Sequence, residues 1–466
     1  MRLHWHRRDL RLADNRGLAD APERPVGLFV FDEAVLEHAG AARVAFLLDA
    51  VGTLRSAYRE RGSELLVREG DPASVVPELA ADLGAEFVSW NRDYSGLASE
   101  RDERVDEALE DVHATPQKFH DAVCHEPGSI TTNAGDPYSV FTYFGRKWRD
   151  REKDDPRAIP EVAPAADLGV APGAIPTLSE LGFEPPTADV PAAGTDVART
   201  LLGSFLDGDV YRYEELRDYP AEECTSRLSA HLKFGTIGIR EVDERVRDAL
   251  EDASGERRES VAEFRSQLAW REFYTHVLYF NPDVVAANYK SYENPIEWED
   301  DDDLLAAWKR GETGYPIVDA GMRQLRAEAF MHNRVRMIVA SFLTKDLLID
   351  WRHGYEHFRE LLVDHDTAND NGGWQWAAST GTDSQPYFRI FNPMTQGERY
   401  DPDAEYITEY VPELDGVDPD VIHSWHELTP TERANAAPEY PEPVVDHSER
   451  RERALSMFER ARGESD

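Results

Sequence analysis

Cysteine is nearly absent: Cys124 and Cys224 are the only two in 466 residues. That is too few for a disulfide framework and suits a reducing cytoplasm. Long hydrophobic runs are missing too, since no stretch of eighteen apolar residues occurs and Met1-Arg2-Leu3-His4-Trp5 lacks an apolar signal core. The expectation is a soluble cytoplasmic protein with no membrane partner. Positive charge is scarce: 51 Lys and Arg against 91 Asp and Glu leave a net charge of −40. Such an imbalance argues by itself against nucleic-acid binding and for disorder. Disorder is excluded by 41% hydrophobic and 10% aromatic residues, a composition that builds packed cores. Lysines are few, and acids are spread along the chain rather than gathered in a tail. This is the surface of an extreme halophile, where concentrated salt makes self-repulsion tolerable. Neither G-x-G-x-x-G nor G-x-x-x-x-G-K-[ST] follows any strand pattern, which removes the dinucleotide fingerprint and the P-loop.

The length suits two or three domains. Residues 3–6, 26–31, 64–68 and 86–90 read as strands, with helices over 41–61 and 73–83 between them. This βαβ alternation predicts a doubly wound parallel α/β domain over 1–130. A linker over 131–195 follows, with eight prolines between 151 and 195 and little periodicity, expected to wrap across a domain surface. Strand patterns then vanish, and 196–466 reads as an all-α domain, clearest at 261–280, 317–348 and the closing 444–461.

One stretch stands out: Asp364, His365, Asp366 and Asp370, then Gly372, Gly373, Trp374 and Trp376. The carboxylates can accept from N–H and hydroxyl groups of a planar ligand. The glycines let backbone lie flat against it or take positive φ. An acidic loop entering an ordinary Trp-containing helix is the plainer alternative. Thr225, Ser226, Arg227, Leu228 and Ser229 precede a helical pattern and make a phosphate cradle or simply an N-cap. Gln267, Trp270, Arg271 and Tyr274 share one helix face, where a glutamine and an arginine suit a core badly. Segments 224–240 (three basic residues, no acid) and 321–360 (seven basic, five acidic) are locally positive. Arg336 in the second is expected to pair with one of the carboxylates.

Together these segments resemble the DNA photolyase and cryptochrome family over nearly the whole chain. The resemblance begins at His6-Arg7-Arg8-Asp9-Leu10-Arg11 and runs through 225–229, 270–274, 313–320 and 331–337 to 371–393 and 443–447. It implies an α/β antenna domain and a helical domain holding U-shaped FAD. It implies light-driven, redox-neutral repair of cyclobutane pyrimidine dimers in UV-damaged DNA by a monomer, with reduced FAD as electron source. Carried over, the cofactor-binding residues are Tyr213, Thr225, Ser226, Arg227, Leu228, Ser229, Phe264, Arg271, Arg336, Asp364, His365 and Asp366. Trp298, Trp351 and Trp374 match the electron-carrying tryptophan chain, and Asp370 the position facing flavin N5. Arg217, Gln267, Trp270, Tyr274, Asn333, Arg334, Met337, Trp376 and Gln396 match the substrate-binding surface.

Asn333 and Met337 stand where (6–4) photoproduct enzymes use two histidines, and neither does acid–base work at neutral pH. Gln267 replaces a glutamate common in bacterial dimer-repair enzymes. Asp370 replaces the asparagine usual in photolyases and matches plant cryptochromes, so a blue-light photoreceptor without repair activity is the alternative. A second, antenna chromophore is implied, deazaflavin or folate, with Trp90-Asn91-Arg92-Asp93-Tyr94 in its region. Damaged DNA is expected to bind mainly by stacking of an extruded dimer, with phosphate attraction confined to 224–240 and 321–360.

Overall fold

The computed structural model describes residues 1–21 and 23–464. Strands β1 (Arg2–His6), β2 (Pro25–Phe31), β3 (Leu65–Glu69), β4 (Phe87–Asn91) and β5 (Thr115–Phe119) form one parallel sheet in the order β3-β2-β1-β4-β5. Both faces of its centre are covered, which is why β1 and β2 are buried throughout; β2 reads as a continuous apolar run, whereas β1 buries Arg2, His4 and His6 among its apolar residues. β5 lacks that signal. Its sequence TPQKF is half-exposed at an edge and carries a proline, as only an edge strand tolerates.

Helices α1 (Ala41–Arg59), α2 (Pro72–Leu83) and α3 (Gly96–Asp111) flank the sheet. The first two match the predicted pattern; α3 escaped it because charged residues dominate and Ala98, Val105 and Leu109 are its buried apolar positions. The order reverses between β1 and β4, creating the crevice where open α/β sheets take ligands.

A helix, α4 (Phe141–Asp150), lies inside the predicted linker segment. It packs Phe141, Phe144 and Trp148 into the helical region beside Val261 and Phe273. Beyond it the chain returns over the α/β domain. Ala163 N–H donates to Pro25 O at 3.0 Å and Val67 N–H to Pro172 O at 2.8 Å.

The helical domain includes α5 (Thr195–Asp207), α6 (Ser229–Phe234), α7 (Ile239–Asp252), α8 (Glu256–Phe280), α9 (Pro316–Glu328), α10 (Asn333–Ser341), α11 (Trp351–Leu361), α12 (Thr367–Ala377) and α13 (His447–Ala461). The helical stretch read over 317–348 is divided where Ala329 takes a φ of 52° and His332 caps α10. Asp364, His365 and Asp366 lie in the loop that enters α12, with Asp366 as N-cap accepting Asn369 N–H, and Asp370 stands in the helix itself. Neither Gly372 nor Gly373 has positive φ. Gly372 instead admits the Tyr274 ring, which lies 2.2 Å from where a Cβ would stand, so α8 and α12 close on each other.

Two apolar cores fill this domain. One joins α4, α5, α7 and α8; the other joins α9 to α12 around Trp308, Trp351 and Trp374. Arg240 fastens the domain to the sheet through buried ion pairs with both Asp14 and Asp121, and Arg11, itself paired with Asp121, donates across to Gly235 O at 3.0 Å. Gly235 closes α6 with φ 64° and lies against Arg8 O, 2.0 Å from its Cβ direction. Any side chain there would push the domains apart.

Candidate functional site

The expected cofactor residues gather along the seam between the two cores. Tyr213, Leu228 and Phe264 belong to the first core. Arg336 on α10, with Asp364 and Asp366 before α12, fronts the second. Burial pushes the Tyr213 phenol up to about 12, and its ring meets Phe264 edge-on at 5.3 Å.

Between them Arg227 adopts φ 52° and Leu228 a right-handed turn. This αL–αR succession turns successive N–H groups into one concavity, an anion-binding nest. The Thr225 and Ser229 hydroxyls have no protein partner among the described residues, so polar groups stand ready for a phosphate-bearing ligand. The Arg227 side chain leaves the cradle, pairing with Glu328 at 2.7 Å and stacking on Phe330 at 3.9 Å; its contribution is backbone. This donor set fits the pyrophosphate of a dinucleotide such as FAD.

The expected pairing of Arg336 is present. Its guanidinium meets Asp364 at 2.8 Å and Asp370 at 3.6 Å. Burial disfavours that charge, but the two carboxylates hold Arg336 above its ordinary value. Asp366 pairs with Arg8 of the α/β domain at 2.5 Å. Burial would raise its pKa, but Arg8, Lys233 and Arg271 hold the carboxyl well below the usual range. Arg271 donates to Ala122 O at 2.8 Å and Leu232 O at 3.2 Å, fixing it at the domain junction. His365 stands behind the acids, its Nδ1 2.7 Å from Asp370 Oδ2.

Gln267, Trp270, Arg271 and Tyr274 form a half-buried face of α8, beside the buried Phe264, Leu268, Ala269 and Phe273. One face of Trp270 is covered by Phe141, stacked at 3.7 Å and 11°, which leaves the other for a planar ligand. Gln267 donates to Glu263 at 2.8 Å, and Glu263 is paired with Arg217. Arg334 pairs with Asp218 and lies over Tyr400 at 4.4 Å. Asn333 Nδ2 approaches Met337 Sδ at 3.9 Å. Trp376 is half-buried, 6.4 Å from Phe391; Gln396 is half-buried on the helix Pro393–Tyr400.

Of the three tryptophans, Trp374 and Trp351 are buried and Trp298 is half-exposed, an interior-to-surface series. Trp374 lies against Gly354, whose Cβ would meet its ring at 2.0 Å, one helical turn from Trp351 on α11.

A separate cavity of about 580 Å³ opens at the sheet's reversal point. It is lined by His6, Arg43 and Asp93 from the α/β side and Lys233, Tyr355 and His365 from the helical side. Of the predicted Trp90–Tyr94 region only Asp93 reaches it. Burial lowers Lys233 to about 8.

The predicted positive segments need correcting. Arg227, Arg240, Arg323, Arg334, Arg336 and Arg352 spend their charge on internal acids, and Lys345 is wholly buried. Unpaired surface cations gather instead on α4: Arg146, Lys147, Arg149 and Arg151 are all exposed, and none makes an ion pair among the described residues. Lys147 and Arg151 donate to backbone carbonyls, Thr131 O at 2.8 Å and Ser129 O at 2.7 Å. Sequence carried the signal, four cations within six residues of an acidic chain, but it lay in the supposed linker.

Comparison with known proteins agrees with this architecture. Residues 2–164 match a family model described as DNA photolyase, and 264–460 one described as the FAD binding domain of DNA photolyase. A deoxyribodipyrimidine photo-lyase of Halobacterium salinarum is 64% identical, with all of both chains aligned. The solved structure of a class III photolyase from Agrobacterium tumefaciens superposes with TM-score 0.91 at 35% identity, covering 99% of this chain and 98% of the other. An archaeal photolyase from Sulfolobus tokodaii, solved with two FAD molecules, gives TM-score 0.85 at 32% identity, covering 98% and 99%.

Proposed function

The chain belongs to the DNA photolyase family, and from that premise we propose that it is a deoxyribodipyrimidine photo-lyase, splitting cyclobutane pyrimidine dimers in UV-damaged DNA under blue light. The observation that carries the reading is the closure of α8 on α12 at Gly372 and Tyr274. It sets the half-buried Gln267, Trp270 and Tyr274 beside the helix bearing Asp370, Trp374 and Trp376.

When bound and reduced, FAD supplies the electron that opens the dimer's ring and takes it back afterwards. The chain's part is to hold and orient both partners away from water. The nest at Arg227 and Leu228 takes the pyrophosphate, with Thr225, Ser226, Ser229 and Tyr213 around it, while Arg336 and Asp364 clamp the ring side. Reaching this pocket requires the lesion to leave the duplex, which a damaged, weakly stacked pair does cheaply. The free face of Trp270 and the Trp376 ring receive the extruded bases, and the Gln267 amide and Asn333 offer hydrogen bonds to their edges. Trp374, Trp351 and Trp298 carry electrons inward from the surface. The free cations of α4, whose Phe141 backs Trp270, meet the phosphates beside the lesion. The interdomain cavity holds the antenna chromophore, deazaflavin or folate. The protein acts as a cytoplasmic monomer; no helix among the described residues is long and apolar enough to cross a membrane.

UV-irradiated oligothymidine should regain its absorbance under blue light with chemically reduced protein and not in the dark. No recovery by fully reduced, FAD-loaded protein would overturn the repair reading in favour of a photoreceptor.

A further inference from the structure

The outer face of α4 carries an aromatic ring that neither core of the helical domain claims. Tyr143 is 56% exposed. Tyr138, half-buried just before the helix, lies against it with ring centroids 6.5 Å apart and planes 19° from parallel. Lys147 Nζ stands 5.4 Å from the Tyr138 centroid. Tyr138 thus backs one side of Tyr143 and solvent meets the other, much as Phe141 of the same segment backs Trp270 on the inner side. The segment is fixed to the rim of the proposed lesion pocket. Phe141 N–H donates to Asp383 Oδ2 at 3.0 Å and Thr382 Oγ1 to Ser139 O at 2.7 Å, a short way along the chain from Trp376. Residues 138–151 hold Arg146, Lys147, Arg149 and Arg151 against the single acid Asp150, in a chain of −40.

An open aromatic ring among unpaired cations is the make-up of a single-strand surface, where cations follow the backbone and bases stack on rings. We propose that Tyr143, backed by Tyr138, is a stacking platform for an unpaired base of the damaged strand, a few nucleotides from the dimer. The proposal rests on the reading of the pocket behind Phe141 as the lesion site. In an intact duplex each base is stacked on both faces and offers neither to a protein ring. Extruding a dimer takes two bases out of that stack, so each flanking base loses a partner; in a single strand no base is held in a fixed stack. Tyr143 replaces the missing partner. Stacking needs no charge, so it persists where salt has screened the attraction of Arg146 and Arg149 for phosphates.

The test compares FAD-loaded wild type, Tyr143→Ala and Tyr143→Phe at one salt concentration, by fluorescence anisotropy, on unirradiated oligothymidine and on an intact duplex of the same length. Tyr143→Ala should weaken single-strand binding about five- to a hundredfold, the range of base–aromatic stacking, and change duplex binding by less than about twofold. Tyr143→Phe should bind as the wild type does, because stacking uses the ring face and not the hydroxyl. Equal loss on both DNAs, no loss on the single strand, or a phenylalanine variant as weak as the alanine one would each overturn the platform. Should circular dichroism show Tyr143→Ala misfolded, Tyr143→Leu, which keeps apolar bulk without a ring face, decides the same comparison. Neither a dimer nor light enters these readouts, so failure of the platform and failure of the repair reading are separable.

Discussion

Removing Arg146 and Arg149 together, as Arg146→Gln/Arg149→Gln, tests whether α4 is the surface that meets DNA phosphates. Four exposed cations without acidic partners, at 146, 147, 149 and 151, set the expected counterion release. At about 0.9 ions per neutralised phosphate, log affinity should fall with log salt at a slope of about −3.6, and at about −1.8 in the double variant. A threefold rise in salt, from roughly 0.15 to 0.45 M, then weakens the wild type about fiftyfold and the variant about sevenfold. Fluorescence anisotropy with a dimer-containing duplex reads this directly, and circular dichroism in the same buffers establishes that a chain of −40 stays folded. Near 1 M, where the screening length is ~3 Å, both slopes should flatten. Trp270→Ala must behave differently, because stacking worth roughly 1–3 kcal/mol per base is insensitive to salt. It should lower affinity at every salt concentration while keeping the wild-type slope, and erase discrimination between damaged and intact DNA. Equal slopes for wild type and the double arginine variant would refute the assignment of α4.

Trp374→Phe should abolish light-driven reduction of oxidised FAD yet spare repair once the flavin is reduced chemically; equal loss of both would make Trp374 structural. Glu272 is 1% exposed and accepts the N–H groups of Cys124 and His125 at 2.6 and 2.9 Å. Burial pushes it up to about 7, against those hydrogen bonds. A carboxyl raised on folding contributes stability at low pH that is lost as pH climbs from its unfolded value through the folded one. Glu272→Gln should therefore gain on the wild type by up to about 3 kcal/mol between about pH 5 and about pH 8 in denaturant titrations; parallel pH profiles would show that the group is not titrating.

Local pattern made much of this molecule legible. The alternation of β1, α1 and the strands between which it runs gave the α/β domain, and the helical periodicity of α8 placed Gln267, Trp270, Arg271 and Tyr274 on one face. The Arg336–Asp364 pair was also readable, because a basic segment in an acidic chain needs an anion. What escaped lacks a local signature. β5 is an edge strand without an apolar run, and α3 buries few apolar positions among its charges. α4 hid beside a proline-rich stretch although its aromatic residues form part of the second domain's core. Contacts such as Arg8–Asp366, Arg240–Asp14 and Phe141–Trp270 join residues more than a hundred positions apart, and composition within a window carries nothing about them. The same gap misdirected the reading of charge: the cations of 224–240 and 321–360 are visible in sequence, but most of the acids that consume them, Asp14, Asp121, Asp218, Asp364 and Glu413, come from other segments.

On the proposed function, that consumption decides which surface of a chain of −40 meets DNA. A buried cation without a partner is costly, and a buried pair made with good geometry is kept because losing either member leaves a charge stranded. Most arginines of the two central segments are therefore bound to specific acids: Arg240 to Asp14 and Asp121 at the domain junction, Arg336 to Asp364 before α12, Arg334 to Asp218 beside Tyr400. Each fixes geometry, and none is left to attract a polyanion. Attraction falls to cations that no acid claims, and on α4 these stand on the helix whose inner face supports Trp270. On the proposed function, since salt screens attraction but not stacking, α4 registers the strand and recognition of damage falls to the aromatic pocket behind it.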